Sequence, residues 1–78
     1  MKRYRLKGMP LDAGLRLRRG RELAQRGNDQ EALAFFRQAA LIAPDLPVAF
    51  RETADCLIRL GRPGEADVYY RKSGAETA

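Results

Sequence analysis

Two stretches of equal length decide how this chain folds: residues 23–37, LAQRGNDQEALAFFR, and residues 57–71, LIRLGRPGEADVYYR. They lie 34 residues apart and align without a gap. Leu23 falls on Leu57, Gly27 on Gly61, Glu31 on Glu65, Ala32 on Ala66 and Arg37 on Arg71, while Phe35-Phe36 falls on Tyr69-Tyr70. In each stretch a glycine stands where one helix ends, and an acidic residue follows close to the positive end of the next. A helix, a tight turn and a second helix, repeated at a fixed period, is the expected reading.

Outward from these stretches, Gly and Pro divide the rest of the chain. Asp12 is placed to cap a first helix running to about Arg26. Asn28 and Glu31 have the spacing of a capping box opening a second helix, which Pro44 stops near Ala43. Asp45 is placed to cap a third helix, with Pro47 in its first turn, continuing to Leu60. Pro63 opens a fourth, closed by Ser73 and Gly74. No segment reads as a buried strand, so the expected fold is all-α, its short connections setting consecutive helices antiparallel. Residues 1–11 form a basic arm, extended or disordered, in which Tyr4 and Leu6 alternate with Arg3, Arg5 and Lys7. Residues 12–78 form the helical domain.

Composition narrows the function. The chain has 78 residues, one domain's worth, with 45% apolar and 32% charged residues. It has no His and one Cys, which excludes an intramolecular disulfide, a Cys/His metal site and the Ser/His/Asp and Cys/His pairs of hydrolases. No phosphate-cradling glycine loop follows a strand, and the carboxylates Glu52, Asp55 and Glu65 form no acid–base pattern. No catalytic residue, metal or cofactor is assigned. No apolar run reaches the ~20 residues of a membrane span, and Pro10 and Asp12 interrupt any signal-peptide core, so the cytosol is the expected compartment. Charge is uneven: the net charge is +5, but residues 1–26 carry +7 and residues 27–78 carry −2.

The 34-residue period with small, large and turn-forming residues in register resembles the tetratricopeptide repeat family. One repeat covers about residues 13–46 and the other 47–78. Ala32 and Ala66 are small where the second helix crosses the first, and Gly20 and Ala54 are small where that crossing is received. Leu23 and Leu57 fill the core within each repeat, Phe36 and Tyr70 take the large aromatic place, and Pro44 matches the proline between repeats. Arg16 and Arg19 depart from the family's apolar pattern. Helix one is therefore either a polar cap or a rotated helix using the stripe Ala13, Leu17, Gly20 and Ala24.

The resemblance implies a short right-handed α-solenoid and a non-catalytic module that receives a partner peptide or helix in a groove. The matching groove positions are Leu17, Arg21 and Ala24 in repeat one, and Val48, Arg51, Asp55 and Ile58 in repeat two. The plainer alternative makes Leu17 and Val48 packing residues and Arg21 and Arg51 solvated surface. Leu17 and Arg21 stand where the carboxylate clamp of some family members has Lys and Asn, so a clamped C-terminal tail is not expected. A different class of function, a basic adaptor for nucleic acid or another polyanion, would use Arg3, Arg5, Arg16, Arg18 and Arg19. Tyr4 is the sole aromatic in that region, a poor platform for stacking bases. Because two repeats leave an end uncovered, a homodimer through Ala66, Val68, Tyr69 and Tyr70 is also expected.

Overall fold

The computed structural model describes residues 10–74. Among them are four helices and no strand: α1 (Leu11–Gln25), α2 (Asp29–Ile42), α3 (Pro47–Arg59) and α4 (Pro63–Ser73). The all-α expectation holds. Most of the basic arm, including Arg3 and Arg5, lies outside the described residues. Connections of three or four residues return each helix onto the one before it. Accordingly α1 packs on α2, α2 on α3 and α3 on α4.

The two 34-residue stretches adopt the same turn, bond for bond. After α1, the Asn28 N–H donates to the Leu23 carbonyl (2.9 Å) and Gly27 N–H to Ala24 (3.0 Å). After α3, Arg62 N–H donates to Leu57 (2.8 Å) and Gly61 N–H to Ile58 (2.9 Å). Both are Schellman turns, which need a left-handed residue just past the helix. Gly27 (φ 83°) and Gly61 (φ 76°) supply it without a Cβ clash.

Helix starts differ from the sequence expectation. α1 begins at Leu11 with Pro10 preceding it, and Asp12 sits in the first turn, where its carboxylate faces the positive end of the helix. Leu46, not Asp45, stands before α3: Pro47 pushes the residue ahead of it into extended backbone, and Leu46 has φ −107° and ψ 120°. Asn28 does precede α2, but its side chain makes no cap hydrogen bond. Its own N–H is taken by Leu23, so the return half of a capping box has no donor to serve.

The core runs through all four helices. Ala13, Leu17, Gly20 and Leu23 face inward from α1, and Ala32, Leu33, Phe36, Ala39 and Ala40 from α2. Ala49, Thr53, Ala54, Cys56 and Leu57 come from α3, and Ala66 from α4. This resolves helix one in favour of the rotated stripe, with Leu23 replacing the half-buried Ala24 as its last fully buried member. Phe36 is 1% exposed. It lies against Gly20, where a Cβ would come within 2.6 Å of its ring. Burial of such a side chain contributes about 1.5–3 kcal/mol. Thr53, fully buried, satisfies its hydroxyl by donating to the Ala49 carbonyl (2.7 Å).

Candidate functional site

With Gly20 and Phe36 fixing how α1 lies on α2, α1 and α3 are left side by side with a hollow of about 330 Å³ between them. Its lining is Arg21, Ala24 and Gln25 from α1, Phe36 from α2, and Glu52 and Arg59 from α3. Arg21 Nε donates to Glu52 Oε2 at 2.8 Å, tying α1 to α3 across the hollow. Arg59 Nε donates to Asp29 Oδ1 at 2.9 Å, closing one flank against the start of α2. That hydrogen bond raises the Arg59 pKa, so the cation is permanent. Both pairs are at least partly in water, where an ion pair is worth about 0–1 kcal/mol and exchanges readily for another partner.

Behind Arg59 lies Cys56. Its Sγ donates to the Asp29 carbonyl at 3.1 Å. Burial pushes the thiol pKa up, against the opposing pull of Arg59, so it stays protonated. A buried protonated thiol is a packing group. Among the described residues no cluster of three or more His, Cys, Asp or Glu side chains could hold a metal ion.

Of the groove residues expected from sequence, Arg21 and Ala24 line the hollow. Leu17 does not: it is 3% exposed and belongs to the core, because the rotated stripe turns it onto α2. On α3, Val48 is half-buried against the core, while Arg51 and Ile58 are exposed. Asp55 is half-buried and accepts a hydrogen bond from the Tyr70 hydroxyl on α4. None of these four lines the hollow. Gln25, Phe36, Glu52 and Arg59 line it without having been assigned to it from sequence. The signal for Glu52 is an acid on α3 facing a base on α1, which depends on how the two helices sit side by side.

Of the polyanion residues, the three described ones, Arg16, Arg18 and Arg19, have partners within the chain. Arg16 donates to Gln38 (2.9 Å) and to the Asp12 carbonyl (3.4 Å), while Arg18 and Arg19 both lie beside Glu22 (3.5 and 3.3 Å). Of the self-association residues, Ala66 is buried against α3, Tyr69 packs beside Phe50 (ring centroids 6.3 Å apart) and Tyr70 bonds to Asp55. Val68, 51% exposed, is the one open to solvent. No described helix is long and apolar enough to cross a membrane. Comparison with protein-family models, curated proteins and solved structures finds no match.

Proposed function

We propose that this chain is a two-repeat tetratricopeptide module that binds a segment of another protein, without catalysis, across α1 and α3. The duplicated Schellman turns, 34 residues apart, support the repeat reading. The observation that carries the function is the hollow between α1 and α3, floored by Phe36 and spanned by Arg21–Glu52. It offers a small apolar floor, Ala24 above the nearly covered Phe36 ring, with exchangeable charges at the rim, a mixture suited to selecting a peptide.

Arg21→Glu tests it, since Arg21 is exposed and its exchange leaves the core intact. Proteins captured from a lysate of the source cells are compared on wild-type and variant beads at low and high salt, with nuclease present. Partners retained at high salt on the wild type and lost on the variant are expected, with the variant still folded and its midpoint lowered by no more than several degrees through the lost Arg21–Glu52 pair. Capture indifferent to Arg21→Glu, or abolished by nuclease, removes the proposal.

A further inference from the structure

We propose that a second surface, the cleft where α2 meets the start of α3 and the end of α4, takes an acidic segment of a partner protein, with one bulky apolar side chain seated between two cations. The cleft encloses about 370 Å³ and is lined by Arg37, Ala40, Leu41, Pro44, Phe50, Tyr69 and Lys72. It shares no residue with the hollow between α1 and α3, so it is a separate site.

Its floor is apolar. Pro44 stops α2 and leaves Leu41 at the rim, 82% exposed, while the tilted pair Phe50–Tyr69 forms the opposite wall. An exposed leucine alone needs no explanation, but one continuous with Ala40, Pro44 and two aromatic rings makes a pocket that an apolar side chain can fill. The charge at the rim then selects the occupant. No lining residue is acidic, and the two charged ones are both basic.

Lys72 holds its ammonium 5.9 Å from the Phe50 ring centroid. Arg37 is under-satisfied: it reaches Glu65 Oε1 at 3.3 Å, but Arg62 already holds both oxygens of that carboxylate, at 2.7 and 3.0 Å. The Arg37 Nε is buried with no hydrogen-bond partner. That nitrogen is closed to a ligand, but 41% of the Arg37 side chain is exposed, and its guanidinium can take an incoming carboxylate in place of the one it shares with Arg62. The charge of Arg37 and Lys72 has the sign of Lys2, Arg3, Arg5 and Lys7 and is opposite to that of an acidic segment.

Panning a random phage-displayed peptide library on the wild-type protein at about 150 mM salt, with counter-selection on Leu41→Asp/Lys72→Glu, tests the proposal. Both substituted side chains are exposed, so the double variant should stay folded, its midpoint lowered by only a few degrees through the lost Lys72–Phe50 contact. The expected peptides carry Asp or Glu on both sides of Leu, Phe or Trp. They should bind the double variant at least about tenfold more weakly and Arg21→Glu unchanged. They should also shift the NMR signals of Leu41, Phe50 and Tyr69. The same peptides with Asn and Gln for the acids should lose as much, a comparison that stands even if the double variant unfolds. Failure to enrich wild-type-specific peptides, enrichment of peptides without acids, or shifts confined to α1 would each overturn the proposal. Concentration-dependent self-association abolished by the double variant would place a second copy of the chain in the cleft and overturn it too.

Discussion

Replacing Gly20 by alanine sets two effects against each other. In a helix interior alanine is favoured over glycine by about 1 kcal/mol. Here the added Cβ would lie 2.6 Å from Phe36 Cε1, 2.8 Å from Cδ1 and 3.1 Å from Cζ. Overpacking a filled core costs about 1–3 kcal/mol. Three atoms of one ring are struck together, and a ring 1% exposed has no solvent to retreat into, so the upper half of that range applies. The expected net loss is about 1–2 kcal/mol, a fall in melting midpoint of roughly 4–16 °C for a domain this small.

Far-UV circular dichroism during thermal and urea unfolding measures it, on wild type, Gly20→Ala, Phe36→Leu and the double variant. A smaller side chain at 36 relieves the clash, so the two substitutions should couple by more than about 0.5 kcal/mol. The repeat supplies an internal control, because the counterpart of Gly20 is Ala54 and its aromatic is Tyr70, which is only half-buried. If Gly20→Ala raises the midpoint, or costs the same in the Phe36→Leu background as in the wild type, the close-approach reasoning is wrong.

Leu57→Ala empties a site that is 0% exposed and should cost about 2–5 kcal/mol, read as a shift of the urea midpoint with unchanged slope. The Tyr70 phenol titrates above its ordinary value of 10.0, first because it donates to Asp55 and then through burial. A raised folded pKa contributes stability that is fully present below about pH 10 and lost as pH rises through the folded value. Tyr70→Phe should therefore lose stability at neutral pH and narrow that loss in alkali; parallel curves for the two proteins would refute the assignment. Cys56 should react with a disulfide reagent only as fast as the protein opens, with urea accelerating both together. Full reaction within seconds in native buffer would show that α3 opens locally.

The residues that end helices were the most legible part of the sequence. Gly27, Gly61 and Pro44 act through backbone constraints that no tertiary contact is needed to impose. Helix starts were less so, because Asp12, Asn28 and Asp45 can cap by side-chain hydrogen bonding but need not. Around Pro47, the steric demand on Leu46 decided the start instead. Arg21 and Ala24 were placed by the family resemblance, which named their counterparts Asp55 and Ile58 as well, although neither lines the hollow. Glu52 and Arg59 were not, since a period says which residues are equivalent and not which helix lies beside which. Leu17 faces the core for a related reason: the close approach of Gly20 to Phe36 sets the rotation of α1 that the departure of Arg16 from the repeat pattern left open.

Each helix leans on its neighbours in the chain, so contacts join residues close in sequence and little loop-closure entropy stands in the way of folding. The ends of the row have a different standing from its middle. α2 is held on both sides, by α1 and by α3, whereas α1 and α4 each have one principal neighbour among the described helices. Energetically this is a short linear array, in which an outer helix can detach while the inner pair keeps its contact. The hollow between α1 and α3 and the cleft beside α4 each include one outer helix. A ligand in either place therefore pins an end of the array, and its binding energy adds directly to the cost of fraying there.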